Sequence, residues 1–240
     1  MFFFFPVPAD ILHLPSLFWL PLVIIWVVIL PVQTYFLYRS LREGELSEVA
    51  PVSALLPVFN IASSFLVIHE LPTRYGLAGI LLTVFATYLL LSDTGSGSRM
   101  AYNRPVLFMI ISIACTAIGS TLDKVAIGAS TPAFYSFVNI CGGAIIFLLF
   151  TYIYREQGEL KQVRELFWKL CMLGIVLALA FVTFTEAFAV APTSYVLALR
   201  SGGFLAVAVW GIFFLKESLS RRKIIAIALF ALGTLALATG

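Results

Sequence analysis

Arg200 and Glu186 carry charges within long apolar stretches of this chain. Ionisable side chains inside a bilayer are costly, so those that occur there are candidates for substrate contact or proton transfer. Arg200 is the eighth residue after Pro192. Glu186 lies five residues before Ala191. If two helices turn back on each other at this point, the two charges differ in depth by roughly 4–5 Å, which an Arg side chain can span. The spacing predicts an ion pair that is either structural or opened by an anionic or zwitterionic substrate competing for Arg200.

Small residues near Arg200 recur at every fourth position: Ser194, Ala198, Gly202 and Ala206. Such a stripe allows two helices to approach closely. Arg200 is two residues from Ala198 and from Gly202, so it points away from the packed side. A cavity on the side of Arg200 is one interpretation. The other is that its long side chain extends to the outer membrane interface.

Five further polar residues in or at the ends of apolar stretches are candidates for substrate contact: Asp123, Lys124, Asn139, Asn60 and Tyr195. Asp123 and Lys124 either extend the polar cluster of Glu186 or anchor a helix at the interface. Each asparagine either contacts the substrate or makes a hydrogen bond between helices. Tyr195 is a weaker candidate, as are Gln33 and Tyr35. Glu70 and Glu217 are expected to hold turns at the membrane surface.

No pattern typical of catalysis or metal binding accompanies these candidates. Cys115, Cys141 and Cys171 stand singly in apolar runs, where packing is the expected role. His13 and His69 lie near the ends of apolar runs and do not pair at a metal-binding spacing. We therefore predict no catalytic residue, no metal site and no cofactor. The sequence also contains no phosphate-binding loop for ATP.

The elements that position these residues are predicted to be transmembrane helices. Hydrophobic residues make up 61% of the chain and charged residues 11%, and the mean hydropathy is +1.04. Long apolar runs without alternation favour helices, which satisfy their own backbone hydrogen bonds in lipid. We predict an all-α polytopic membrane protein with about eight transmembrane helices, over Leu17–Tyr38, Val49–Ile68, Tyr75–Leu91, Val106–Ile127, Pro132–Tyr154, Phe167–Val190, Thr193–Leu215 and Ile224–Ala238.

Two parts of the chain repeat one pattern. In each, an apolar helix ends at a Glu, a polar turn follows, and a second apolar helix is rich in small residues. The first copy begins at Pro51 and the second at Ala198, and the matched residues Glu70 and Glu217 are 147 positions apart. Internal repeats in a polytopic membrane protein are typical of transporters, whose halves move about a shared site.

The chain resembles the EamA-type transporters of the drug/metabolite transporter superfamily. The motifs are STLDKVAIG, VAPTSYVLALRSGGF, FLKESLSRR and IAIALFALGTLALA in the back part, with GELSEVAPVSALLPVF and HELPTRYGLAGILLTVFATYLLL in front. The resemblance implies a ten-helix fold of two inverted five-helix repeats, of which the first helix and most of the second have no counterpart here. It places an incomplete first repeat of three helices at 1–94, a linker at 95–104 and a complete second repeat at 105–240.

The predicted function is secondary transport of small metabolites or drugs by alternating access, as an exporter or permease. A non-transporting remnant or accessory membrane subunit is an alternative. A membrane-embedded enzyme is less favoured because it would need clustered His or Asp residues. Proton coupling through Glu186 or Asp123 and facilitated diffusion both remain open. The expected partners are an unknown small-molecule substrate and the lipid bilayer, with no nucleic acid; a homodimer is left open.

Basic residues predict the orientation of the helices. One side holds two basic residues, Arg74 and Lys124, so we expect it to face outside together with both chain ends. The location implied is the cell membrane, as a multi-pass protein, which in a bacterium is the inner membrane. The opposite side, predicted to be cytoplasmic, holds twelve: Arg39, Arg42, Arg99, Arg104, Arg155, Lys161, Arg164, Lys169, Lys216, Arg221, Arg222 and Lys223.

Overall fold

The computed structural model describes residues 16–44, 49–92, 104–154, 166–203, 206 and 221–239. These ranges contain eight helices and no strand, which confirms the prediction of an all-α polytopic membrane protein. The helices are α1 (Ser16–Glu43), α2 (Leu56–Ile68), α3 (Arg74–Ser92), α4 (Arg104–Gly128), α5 (Pro132–Tyr154), α6 (Phe167–Val190), α7 (Thr193–Arg200) and α8 (Arg221–Thr239).

Within the described ranges, four helices are long and apolar enough to cross a membrane, and these are α1, α4, α5 over Pro132–Leu149, and α6. Three shorter apolar segments cover Val52–Ile68, Arg74–Leu89 and Ile224–Thr239. The helix observed at the predicted span Ile224–Ala238 begins three residues earlier, at Arg221, so it includes the basic residues that precede the apolar run. Several predicted features lie outside the described residues: the opening residues 1–15, most of the linker, the segment 155–165, and the stretch 207–220 with Glu217.

Prolines interrupt the regular α-helical hydrogen bonding at two places. Within α1, residues Ile25–Ile29 form a π-helical turn just before Pro31. Before α2, residues Ala50–Leu55 form a 3₁₀ helix, and α2 restarts with Pro57 in its first turn. Proline has no backbone N–H, so it cannot donate a hydrogen bond to the carbonyl four residues earlier. The backbone therefore adopts a π-helical or 3₁₀ hydrogen-bond pattern near the proline.

The chain divides into two compact units. The first comprises residues 1–28 and 122–190, and the second comprises 29–121 and 191–240. In the first unit, Phe18 and Leu22 of α1 and Tyr135 of α5 are fully buried. Most apolar side chains of α6 are exposed, with Trp168 at 79% and Val190 at 86%. A helix with so much apolar surface outside the protein core is suited to lipid.

The second unit is built around the contact between α3 and α8. Its core includes Ile80 and Val84 of α3, Leu237 of α8, and Tyr195 and Ala198 of α7. A separate apolar cluster joins the segment before α2 to α4: Val49, Val52, Met109 and Ile113.

Glycines allow α3 and α8 to cross at close range. A methyl group on Gly79 would lie 2.8 Å from both Gly233 O and Leu237 Cγ. A methyl group on Gly233 would lie 2.7 Å from Thr83 Cγ2. Because position 79 is near 233 and 237 while position 83 is near 233, the two helices run antiparallel.

The bounds of α3 and α8, and the ends of α1 and α6, agree with the predicted repeat register. Shifting the ends of α3 by 147 positions gives Arg221 and Thr239, which are the ends of α8. The same shift carries the last residue of α1, Glu43, onto the last residue of α6, Val190. The division of the chain into the ranges 1–94, 95–104 and 105–240 remains a prediction.

Candidate functional site

A cavity of about 410 Å³ lies in the second unit, between α1, α4, α7 and the 3₁₀ segment before α2. One charged residue, Arg200, is among the described residues that line it. The polar lining also includes Gln33, Ser53, Ser112, Thr116 and Ser201, and the remaining lining residues are Leu37, Leu56, Met109, Ile113, Leu197 and Gly203. The described lining therefore combines one cation, neutral hydrogen-bonding groups and an apolar wall.

The helical period of α4 places its polar lining. Ser112 and Thr116 are one turn apart, so both project on the same side of the helix. Ser112 donates a hydrogen bond of 3.1 Å to the backbone carbonyl of Gln33 on α1. The Thr116 hydroxyl donates to the carbonyl of Ser112 at 2.8 Å. The bond from Ser112 holds α4 against α1 where the cavity forms, and the bond from Thr116 lies within α4.

Arg200 occupies the last position of α7. The residues before it, from Thr193 to Ala198, are buried, while Arg200 itself is exposed. A methyl group on Gly202 would lie 3.1 Å from the ring of Phe230 on α8. The small-residue stripe of Ala198 and Gly202 thus faces protein, and Arg200 lines the cavity. A role for Arg200 in binding substrate remains a prediction.

Asn60 is fully buried and does not line the cavity. Its amide nitrogen donates to the carbonyl of Ala117 at 3.1 Å, to Ser120 Oγ at 2.8 Å and to Thr121 Oγ1 at 3.3 Å. Nearby, Ser63 and Thr121 share a hydrogen bond of 2.8 Å. These contacts are those of an amide that joins helices α2 and α4.

Tyr195 is also buried outside the cavity lining. Its hydroxyl accepts a hydrogen bond of 3.1 Å from the backbone N–H of Thr73 and shares another with the Thr73 hydroxyl. The Thr73 hydroxyl in turn accepts from the backbone N–H of Gly76 at 3.0 Å, as a helix N-cap does. Tyr195 therefore supports the start of α3.

Asp123 and Asn139 belong to a hydrogen-bonded row in the first unit. The indole N–H of Trp26 donates to Asn139 Oδ1 at 2.7 Å. Asn139 Nδ2 donates to the hydroxyl of Tyr135 at 3.0 Å. Tyr135 donates to Asp123 Oδ1. We call these four residues the polar row; they connect α1, α5 and α4.

The remaining candidates lie beside this row in sequence or on α6. Lys124 is partly buried and follows Asp123. Glu186 is exposed on α6, next to Thr185, whose hydroxyl shares a hydrogen bond with Ser136 of α5. Glu186 belongs to the first unit and Arg200 to the second. The ion pair between them remains a prediction.

Several residues at these sites did not stand out in the sequence. Ser112 and Thr116 share the i, i+4 spacing of one helix face, as do Tyr135 and Asn139, and this spacing is a signal that the sequence contains. Trp26 has no such signal, because its partner Asn139 is 113 positions away.

The helices and their apolar exposed surfaces define a polytopic α-helical membrane protein. Its sequence matches the model of the EamA-like transporter family over residues 103–239. The chain belongs to this family of membrane transporters, which confirms the resemblance drawn from its motifs. One solved crystal structure shares the fold with a TM-score of 0.72, covering 96% of this chain and 78% of the other, at 16% identity. No curated protein matches the chain.

Proposed function

We propose that this protein is a secondary transporter of small metabolites or drugs in the cell membrane, and that its substrate carries an anionic or zwitterionic group bound by Arg200. The observation that carries the proposal is the position of Arg200 on a cavity within apolar helices. A volume of about 410 Å³ falls in the range of roughly 300–1,000 Å³ typical of small-molecule sites.

The chemistry of the lining supports an anionic group on the substrate. A guanidinium presents several N–H donors in a planar arrangement that matches a carboxylate or phosphate. Ser112 and Ser201 offer hydroxyl groups in the same cavity, whereas Leu37, Leu56 and Ile113 offer apolar surface. A molecule with one anionic end and an apolar body fits both kinds of lining.

The repeat register supports transport by alternating access. Helices α3 and α8 have matching bounds at the offset of 147 and cross antiparallel at Gly79 and Gly233. Inverted repeats of this kind can exchange conformations about a central site, which is the usual mechanism of secondary transporters.

Ligand binding to the full chain in lipid nanodiscs tests the role of Arg200. The probes are benzoate, its neutral isostere benzamide, and phenylalanine as a zwitterion. A bound ligand at ten times its Kd stabilises a protein by about 1.4 kcal/mol, a shift in Tm of roughly 3–6 °C for a chain of this size. We expect this shift for benzoate or phenylalanine but not for benzamide.

Variants and a flux assay complete the test. Arg200→Gln should abolish the shift, and Arg200→Lys should weaken it because lysine lacks the planar donors. Arg39→Gln is the matched control, since Arg39 lies in the same unit, pairs with Glu43 and is not among the lining residues.

Labelled probe that stabilises the protein should enter proteoliposomes. Equal shifts in wild type and Arg200→Gln would contradict the assignment of Arg200. No flux of any probe through the wild type would count against transport.

A further inference from the structure

We propose that Asp123 binds a proton and thereby couples transport to proton movement. The other members of the polar row, Trp26, Asn139 and Tyr135, hold it in place. The inference rests on the proposed transport function. It concerns residues in a different unit from the cavity of Arg200.

The polar row has a single direction of hydrogen-bond donation. An indole N–H can only donate, so the oxygen of the Asn139 side chain must face Trp26. The amide nitrogen of Asn139 then faces the hydroxyl of Tyr135 and donates to it. The hydroxyl hydrogen of Tyr135 is left to point at Asp123 Oδ1, which must accept it. Trp26 thus fixes Asp123 as a hydrogen-bond acceptor through two intermediate residues.

The described hydrogen-bond partner of Asp123 is a neutral hydroxyl group, that of Tyr135. Asp123 is partly buried within α4, and Tyr135, which donates to it, is fully buried. Among the described residues, no ion pair to Asp123 occurs within 4.0 Å. An ionised carboxylate inside a membrane span without a cationic partner is costly, and residues of this kind mark proton pathways in transporters.

The other titratable groups of the first unit were compared with Asp123 as possible proton-binding sites. In its described residues these are Lys124 on α4, Tyr135, Cys141, Tyr152 and Tyr154 on α5, and Lys169, Cys171 and Glu186 on α6. The segment 16–28 of α1 contributes none. Of these groups, Tyr135 forms the hydrogen bond to Asp123. Glu186, the other carboxyl group of these described residues, is exposed.

Proton uptake would change how α4 is joined to α5. A hydronium ion transfers its proton to one oxygen of the Asp123 carboxylate. One O–H bond of the hydronium ion breaks, one O–H bond of the carboxyl group forms, and a water molecule is left. The bond from Tyr135 then loses the assistance of a full negative charge, and charge-assisted bonds are roughly twice as strong as neutral ones. The protonation state of Asp123 therefore biases the contact between these two helices, which is what coupling to transport requires.

Infrared difference spectroscopy of the full chain in nanodiscs tests proton binding without any substrate. The acidic-minus-alkaline spectrum of the wild type should contain the C=O stretch of a protonated carboxyl group that is missing from Asp123→Asn. Tyr135→Phe should shift the frequency and the titration midpoint of that band, and Asp123→Glu should restore a carboxyl band. Glu186→Gln is the matched control and should keep the Asp123 band. Identical difference spectra for wild type and Asp123→Asn would overturn the proposal.

A flux experiment tests coupling and separates it from transport itself. In proteoliposomes that contain the wild type, an imposed pH gradient should change the accumulation of a labelled probe that stabilises the protein. Proteoliposomes with the Asp123→Asn variant should accumulate the probe only to the level reached without a gradient. The same variant should still exchange probe across the membrane when the pH is equal on both sides. A full gradient response in Asp123→Asn would refute coupling through this residue. Absence of exchange in wild type would instead count against the transport function and leave the infrared result intact.

Discussion

At the scale of single residues, Asn60 links two helices through three acceptors on α4: Ala117 O, Ser120 Oγ and Thr121 Oγ1. Interhelical hydrogen bonds in membranes contribute about 0.6 kcal/mol each on average and up to about 1.7. Asn60→Leu should therefore lower the free energy of unfolding by roughly 1–2 kcal/mol, as measured by detergent-induced unfolding in mixed micelles. Probe binding should persist, because Asn60 is not among the cavity residues.

A control for Asn60 comes from α6. The hydroxyl of Thr183 is exposed and bonds to the carbonyl of Leu179 in its own helix. Thr183→Ala should change the free energy of unfolding by less than about 0.5 kcal/mol. If Asn60→Leu removed probe binding while leaving stability unchanged, Asn60 would be a substrate contact and not a link between helices.

Two neighbouring glycines on α5 test the position of Trp26. A methyl group on Gly142 would collide with the indole ring of Trp26, whereas one on Gly143 would meet nothing within 4 Å. Gly142→Ala should therefore displace the indole and break its bond to Asn139, with a change in tryptophan fluorescence and a loss of roughly 1–3 kcal/mol of stability. Gly143→Ala should leave both unchanged. Equal behaviour of the two variants would contradict the described packing of Trp26.

At the scale of elements, the contact between α3 and α8 depends on glycine. Gly79 faces the backbone carbonyl of Gly233, so a side chain at position 79 requires the two helix backbones to separate. Gly79→Ala should lower the free energy of unfolding by about 1–3 kcal/mol, as overpacking of a close contact does.

The control for Gly79 is Gly174, where a methyl group would meet nothing within 4 Å. Gly174→Ala should be neutral or stabilising by up to about 1 kcal/mol, because alanine is the better helix former. Thermal unfolding of both variants in nanodiscs measures the difference. A Gly79→Ala protein as stable as Gly174→Ala would mean that α3 and α8 do not pack at this point.

Long apolar runs made most of the helices predictable from the sequence. Spans such as Phe167–Val190 match the observed bounds because length and hydropathy alone decide whether a segment can cross lipid. The π-helical turn at Ile25–Ile29 was not predicted, since Pro31 signals a local irregularity but not its form. The sequence predicted the side of the helix on which Arg200 could face a cavity. It did not predict the lining, because the walls of the cavity come from four separate segments.

The polar row shows a second reason why sites were harder to predict than helices. The pair Tyr135 and Asn139 follows from helical spacing. The bond from Trp26 to Asn139 depends on a tertiary contact between α1 and α5. No local pattern in either segment encodes that contact. The sequence therefore indicated Asp123 and Asn139 as candidates but did not indicate Trp26 and Tyr135, which connect them.

At the scale of the whole molecule, lipid is the solvent for much of the surface. Exposed apolar side chains are distributed along α1, α5 and α6, among them Leu20, Leu148 and Met172. Water would not tolerate so many large apolar groups on a monomer surface. Basic residues, by contrast, concentrate in the connecting segments that the eight predicted spans would place on one side. The direction of insertion should therefore follow these charges.

Thiol labelling in intact cells tests that orientation. In a background where Cys115, Cys141 and Cys171 are replaced by alanine, single cysteines are introduced as Gln157→Cys or Thr239→Cys. Position 157 lies among basic residues between α5 and α6, so it should react with a membrane-impermeant maleimide only after permeabilisation. Position 239, at the end of α8, is separated from it by three predicted spans and should react in intact cells. Three crossings place the two positions on opposite sides whichever way the chain inserts, so labelling of both from one compartment would contradict the number of spans. Reversal of both results would keep the spans and show that the basic residues do not set the orientation.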